Sequence, residues 1–422
     1  MSPVTPSTSR RGSDDDRTAL MSARSAESVL VPEVILGHGA RTPFGDFGGA
    51  LRDTPLTELG VHATDAALRR ANLRPGLVDH LVFGNVLPVG EDGHFVSRHV
   101  ALGAGLPVES SALTVNRACA SGSEAIAAAA GFIADGDAEI AVAAGGENFS
   151  RAASALGTSQ WKPRRGPLTL ADALDGVYRS RFAGELMVET AELIAERFGY
   201  DRASMDAWAC ASRQRAAAAT SSGFLARQIE PLVLPGASGS ELFSADEFGR
   251  RATTAEELSR LRPSLTTGGA VTAGNSSTVT DGAAAIVVAR RSTAESNGIK
   301  PRARLVAFAT AAVPPEIIGA GTVSAITTLL TRTGLSVSDI DYWEIDEAFA
   351  AVNLHVERQL GVPHEATNLY GGALSLGHAP GATGIRMTLT AIDHLHDTGG
   401  RYAVISMCAG GGQGMATLLE RV

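Results

Sequence analysis

Cysteine is scarce in this sequence: there are three in 422 residues, Cys119, Cys210 and Cys408, odd in number and far apart. That excludes a disulfide framework and metal-ligand spacing, and predicts reduced thiols in a cytoplasmic protein. Basic charge is also short. A net charge of -9 leaves no positive field for nucleic acid or an anionic membrane, although a few local arginines suffice for a phosphate-bearing ligand. No apolar run approaches the roughly 18 residues needed to span a bilayer, and the N-terminus lacks a basic region followed by an apolar core. What remains is an ordinary soluble balance, 44% hydrophobic and 19% charged, with material for two or three domain-sized cores.

Residues Met1 to about Val31 are rich in Ser, Thr, Arg and Asp without apolar periodicity, and read as a disordered tail. From Pro32 an α/β pattern begins: the short strand Val34-Ile35-Leu36, a glycine-punctuated loop R-T-P-F-G-D-F-G-G (Arg41 to Gly49), then a helical pattern from Leu59 to Ala71. Internal similarity follows at a constant offset, 335 − 73 = 262. Leu73 to Asn85 lies on Leu335 to Glu347, Ile140 to Gly146 on Tyr402 to Cys408, and the turn at Cys119 falls close to Gly377-His378-Ala-Pro-Gly381. Three pairs in register predict two similar α/β halves, 32–150 and 279–422, with an insertion at 151–278. The insertion carries few strand signals and basic stretches such as Trp161 to Pro167, and is expected to cover a ligand.

The chemistry centres on Val115 to Ile126, V-N-R-A-C-A-S-G-S-E-A-I. A β-prone run arrives at Cys119 and a small-residue helical pattern leaves it. At such a turn the unpaired N–H groups favour thiolate, and Ala120, Ser121 and Gly122 leave room for a substrate. Cys210, inside A-W-A-C-A-S-R, reads as plain core. The duplicate geometry brings Cys119, His378 and Cys408 to the centre. His378, in its glycine turn, suits a base and hydrogen-bond donor. The A-G-G-G-Q-G run after Cys408 exposes N–H groups to an oxyanion. A dinucleotide reading of those glycines fails, because Met415 to Val422 reads as a strand.

Over about Val34 to Val422 the chain resembles the thiolase family. N-R-A-C-A-S-G matches its acyl-cysteine motif, Gly371 to Gly384 its histidine motif and C-A-G-G-G-Q-G its C-terminal cysteine motif. R-T-P-F-G-D-F-G-G, M-V-E-T-A-E (Met187 to Glu192), T-A-G-N-S-S and D-G-A-A-A (Asp281 to Ala285) are thiolase-like too, in the family's order. The resemblance implies a five-layered α/β/α/β/α fold with a loop domain, a homodimer or homotetramer, and acyl-CoA:acetyl-CoA C-acyltransfer without a metal or tightly bound cofactor, coenzyme A and acetyl-CoA being substrates. It further implies that Cys119 carries the acyl group, that His378 draws off its proton, and that Cys408 exchanges a proton with the α-carbon of acetyl-CoA. The N–H groups of Cys119 and Gly410 would hold the oxyanion. Arg250, Ala273, Ser277 and Phe349 fall at positions that touch coenzyme A, with Met187 near the thioester. Leu186 and Leu265, where short-chain members often carry His and Phe, leave the acyl chain open.

One position departs. The family typically has Asn-Glu-Ala-Phe, its Asn holding the water of the enolate's oxyanion hole; here the run is Asp346-Glu347-Ala348-Phe349. Three outcomes are expected of it: Asp346 is protonated and behaves like Asn, it keeps His378 cationic, or condensation is impaired and the function narrows to thiolysis or acyl transfer only. A decarboxylating ketosynthase shares the nucleophile but not a cysteine at 408. A divergent protein specialised in acyl transfer, or an acyl-CoA-binding partner subunit, is the runner-up.

Overall fold

The computed structural model describes residues 33–156, 170–179, 186–236, 239–248, 253–265 and 269–422. The expected tail at Met1 to Val31, the Trp161 to Pro167 stretch and Arg250 lie outside the described residues.

In chain order, the first part holds β1 (Val34–Arg41), the two-residue β2 (Gly45–Asp46), α1 (Leu56–Arg70), β3 (His80–Gly84), α2 (Val96–Gly103), β4 (Ser111–Val115), α3 (Ser121–Asp135) and β5 (Ile140–Glu147). A mixed segment follows: the hairpin β6 (Ser154–Leu156) and β7 (Leu170–Asp172), α4 (Ala173–Tyr178), α5 (Met187–Phe198), α6 (Arg202–Ser221), the hairpin β8 (Leu232–Gly236) and β9 (Gly239–Phe243), and α7 (Ala255–Ser259). Then come β10 (Thr280–Arg290), α8 (Arg291–Ser296), β11 (Ala303–Ala312), α9 (Ala320–Thr333), β12 (Tyr342–Ile345), α10 (Ala350–Leu360), α11 (Ala373–Leu376), α12 (Pro380–Thr398), β13 (Tyr402–Ala409) and β14 (Gln413–Arg421).

Strand order is β12-β13-β14-β11-β1-β10-β5-β3-β4. The middle of this path is thin, β1 meeting β11 through two residue pairs, Ile35 with Arg304 and Leu36 with Ala303. The path thus divides into two sheets, β12-β13-β14-β11 and β1-β10-β5-β3-β4, with a buried core on either face of each, although the edge strand β4 is half-buried or exposed. Alternation along β5 sends Ala141 and Ala143 to one core and Ile140, Val142 and Ala144 to another; along β13 it separates Ala403 and Ile405 from Val404. The inner faces share one core with α3 and α12, while α1 covers the outer face of the first sheet and α9 that of the second. This gives helix, sheet, helix, sheet, helix, the five layers that the motifs imply.

The offset of 262 survives in detail. Asp79 accepts from the N–H groups of Glu139 and Ile140 at 2.8 and 3.0 Å, and Asp341 accepts from those of Arg401 and Tyr402 at 2.7 and 2.9 Å. Parallel pairing places His80 against Ala141 and Tyr342 against Ala403. The expected boundary at 279 shifts, however. β10 pairs antiparallel with β1 and β5, so it completes the first sheet. The second half starts with β11, and the insertion occupies the connection from β5 to β10. Its counterpart is the short Ala409 to Gln413 turn between β13 and β14. The inserted segment also holds two small hairpins, β6–β7 and β8–β9, separate from the main sheet. Arg41 ties it down: its guanidinium meets both oxygens of Asp246 at 2.6 and 2.8 Å, both side chains being buried.

Candidate active site

Cys119 stands between the end of β4 and the start of α3. The preceding Ala118 has φ 46°, a left-handed conformation that costs a non-glycine residue roughly 1–2 kcal/mol. Local bonds enforce it. Asn116 Oδ1 accepts from Ala118 N–H at 2.9 Å, and Ser121 Oγ accepts from Arg117 N–H at 2.9 Å while donating to the Ala118 carbonyl at 2.7 Å. The bend turns Cys119 toward a cavity of about 380 Å³ that Ala118, His378, Cys408 and Gly410 also line. Thus the turn at Cys119, the turn at His378 and the end of β13 meet, as the duplicated halves require.

His378 precedes α12, whose first residue is Pro380. Its backbone N–H donates to Thr280 Oγ1 at 3.0 Å, and its Nδ1 lies 3.0 Å from Thr383 Oγ1. The Thr383 hydroxyl donates to the Ala379 carbonyl at 2.9 Å, so it accepts from Nδ1–H and leaves the lone pair on Nε2. Nε2 is buried and has no hydrogen-bond partner among the described residues. Burial lowers the imidazole pKa, Asp346 opposes that shift, and Arg386 adds to it. At neutral pH His378 is an unprotonated base.

Burial pushes the Cys119 thiol up to about 12, and Asp346 pushes the same way, against the pull of the Gly410 and Cys119 N–H groups. This overturns the expectation of a resting thiolate. The helix start and its N–H groups act in the expected direction, but desolvation is larger. At neutral pH Cys119 is therefore a thiol. Cys408 is fully buried, and burial followed by Cys119 and Asp346 raises its thiol well above the ordinary range. Gly410 begins the turn after β13, where Gly411 and Gly412 have φ 84° and 81°. A Cβ on Gly412 would lie 2.3 Å from the Val313 carbonyl, so this turn needs glycine.

Met187, Ser277 and Phe349 line the same cavity. Ala273 is exposed and is not among the lining residues. It stands in the Thr272 to Ser277 loop, which buried Asn275 fixes by accepting from Thr272 N–H at 2.8 Å and donating to Asp206 at 2.9 Å. Leu186 lines the cavity, and Leu265 follows the lining residue Ser264. Cys210 is half-buried, its Sγ 3.0 Å from the Thr253 carbonyl, a packing residue as expected.

Four further groups were not singled out as site residues in the sequence. Tyr178, from α4, lines the cavity as a neutral phenol, its pKa raised by burial. Thr383 fixes the histidine tautomer; its i+5 spacing from His378 at a helix start was the available signal. Glu347 accepts from Trp208, Ser212, Asn368 and the Leu374 N–H, joining α6 to the turn before α11. Arg386 meets Glu344, which also accepts from Tyr342. Tyr342, Glu344 and Asp346 fall on alternate positions, a polar row on the central face that strand periodicity could have revealed.

"Thiolase, N-terminal domain" matches residues 34–292, and "Thiolase, C-terminal domain" matches residues 299–421. The chain belongs to the thiolase family. It is 41% identical over 394 residues to a beta-ketothiolase of Cupriavidus necator, covering 93% of this chain and 100% of that protein. It is 41% identical over 404 residues to an Escherichia coli 3-oxoadipyl-CoA/3-oxo-5,6-dehydrosuberyl-CoA thiolase, covering 92% and 100%. Human mitochondrial 3-ketoacyl-CoA thiolase in complex with CoA superimposes with a TM-score of 0.90 at 36% identity, over 93% of this chain and 99% of that one. This thiolase is an acyltransferase, and its first domain match ends just after β10, where the first sheet is complete.

Proposed function

We propose that this thiolase works through a Cys119 acyl-enzyme, with His378 as the base that takes the thiol proton and Cys408 as the acid/base at the α-carbon of acetyl-CoA. The observation that carries the reading is the convergence of Cys119, His378 and Cys408 on one cavity. In the first half reaction Sγ bonds to the acyl carbonyl carbon, the coenzyme A C–S bond breaks, and the leaving thiolate recovers the proton from His378. In the second, C–C bond formation or thiolysis passes through an enolate. The Cys119 and Gly410 N–H groups serve the acyl-enzyme oxyanion; both already act on the sulfur. Coenzyme A enters past Ser277, Phe349 and Met187, with Ala273 further out, and is a substrate rather than a resident cofactor.

The apolar side of the cavity, with Val177, Leu186, Val188 and Ile318, supports acyl groups longer than acetyl. Thiolysis of acetoacetyl-CoA and of a longer 3-ketoacyl-CoA tests both points. Turnover of the longer substrate at least as fast as the shorter is expected, and no turnover of either would refute the assignment.

A homo-oligomer fits β4, an edge strand whose side chains are half-buried or exposed; light scattering should report a mass of two or four chains, and a monomer would refute it. A reducing, cytoplasmic setting suits a cysteine nucleophile. Among the described residues no helix is long and apolar enough to cross a membrane.

A further inference from the structure

Buried carboxylates in this protein are generally surrounded by donors. Glu147 takes the Val86 N–H at 2.7 Å, the Asn85 amide at 3.0 Å and the Gly381 N–H at 3.3 Å, and Glu347 has four donors. Asp346 differs. Its side chain is fully buried, yet neither Oδ1 nor Oδ2 has a hydrogen-bond partner among the described residues. Leaving such a group undonated is costly unless a nearby charge compensates it. The contact it does make is with the imidazole of His378, Oδ1 lying 3.6 Å from Nδ1.

That geometry has a direction. Nδ1–H is already engaged by Thr383, which fixes the tautomer, so Asp346 is not needed to orient the ring. What a carboxylate at 3.6 Å supplies is charge, felt most when the ring carries a second proton. We propose that Asp346 is a positioning residue acting through His378: its carboxylate holds the imidazolium formed when Nε2 takes the proton of Cys119, so that acylation runs through a Cys119–His378–Asp346 relay. This rests on the acyl-enzyme reading above. No atom is added to the step: the proton leaves Sγ, resides on Nε2, and departs with the coenzyme A thiolate as the new thioester forms.

The same charge works against the second half reaction. An enolate developing beside His378 faces an anion that the buried surroundings screen poorly. One transition state serves both directions of a step, so Asp346 does not separate thiolysis from condensation. It favours acyl exchange over the carbon–carbon step, in whichever direction each runs.

Groups facing His378 decide the pH dependence. They are Asp346 at the end of β12, Arg386 on α12 with its partner Glu344, the thiols of Cys119 and Cys408, and Glu147, which reaches α12 through the Gly381 N–H. Asp346 favours the imidazolium and Arg386 disfavours it. Removing the carboxylate therefore moves the acid limb of exchange, where His378 becomes protonated, to lower pH.

The experiment compares the parent with Asp346→Asn in two assays: exchange of the acetyl group between acetyl-CoA and labelled coenzyme A, and thiolysis of acetoacetyl-CoA, each across pH. Exchange should fall about tenfold, the equivalent of one pKa unit, with its acid limb moved down, while the thiolysis-to-exchange ratio rises. Unchanged exchange, or an equal fall in both assays with an unmoved limb, would overturn the proposal. Asp346→Ala should move the limb in the same way, since charge and not shape is the claim; an unmoved limb in whichever variant folds counts against it. A parent that forms no acyl adduct on Cys119 would remove the proposed function itself. A parent with the adduct and a variant without the shift would remove only the role of Asp346.

Discussion

The two halves share a plan and, in the proposed mechanism, divide the chemistry. Each has a parallel pair followed by antiparallel strands, an aspartate accepting from two N–H groups 60 or 61 residues downstream, and a central helix after a reactive turn. They differ at the strand ends. In the first half β5 ends in Gly145, Gly146 and Glu147. A Cβ on Gly145 would lie 2.1 Å from the Gly381 carbonyl, and one on Gly146 would lie 2.7 Å from the Gly282 carbonyl. There is room for backbone only, and α12 approaches closely because of it. At the offset of 262 from Gly146 the second half places Cys408, a thiol facing the cavity. The β5–β10 connection carries the segment that covers the cavity, whereas the β13–β14 connection is a tight glycine turn. In the proposed mechanism one half supplies the nucleophile and the cover, and the other supplies the proton-handling groups.

Substitutions should separate these contributions. Cys119→Ser is expected to lower both acyl exchange and thiolysis at least about 10³-fold, because the acyl carrier is common to both; steady-state rates with each substrate check this. Cys408→Ala should cut thiolysis about 10²-fold and leave acyl exchange within about threefold, as loss of a single acid/base group would; parallel losses would contradict the division between halves. Gly145→Ala should cost about 3 kcal/mol in denaturant unfolding, since backbone on both sides prevents relaxation. The smallest effects test the symmetry itself. Asp79→Ala and Asp341→Ala are both exposed acceptors of two N–H groups, and each should cost about 1 kcal/mol; a marked inequality in urea midpoints would show that the halves are not equivalent.

Reactivity gives a pH test of the same contrast. Burial holds the Cys119 thiol up at about 12, so the free thiol dominates at neutral pH. Alkylation by iodoacetamide should be slow near pH 7 and rise on the alkaline side. A plateau already reached at neutral pH would show a resting thiolate.

Much of this arrangement was legible in the sequence because repetition and glycine turns leave strong marks. The offset at Val78-Asp79 and Ile340-Asp341 located equivalent strands, and N-R-A-C-A-S-G placed Cys119 at a helix start. The boundary at 279 was misplaced because β10, continuous with the inserted segment in sequence, returns to pair between β1 and β5; strand order is not a local property. The thiol's state was misjudged for a related reason. Helix position is written in the sequence, but the desolvation that outweighs it depends on residues brought from both halves. Tyr178 was missed because a tyrosine after an acidic turn has no distinctive local pattern, and Thr383 because its i+5 spacing from His378 becomes a contact only in the folded turn. Asp346 stood out only as a departure from Asn-Glu-Ala-Phe, and its undonated oxygens appear only once β12 and α12 are packed.

The most direct measurement is intact-protein mass after mixing with acetyl-CoA, followed by peptide mapping. The parent should gain one acetyl group, located on Cys119 and removed by added coenzyme A, and Cys119→Ser should gain none. An adduct on Cys408 or Cys210, or no adduct in a protein that still performs thiolysis, would contradict the account.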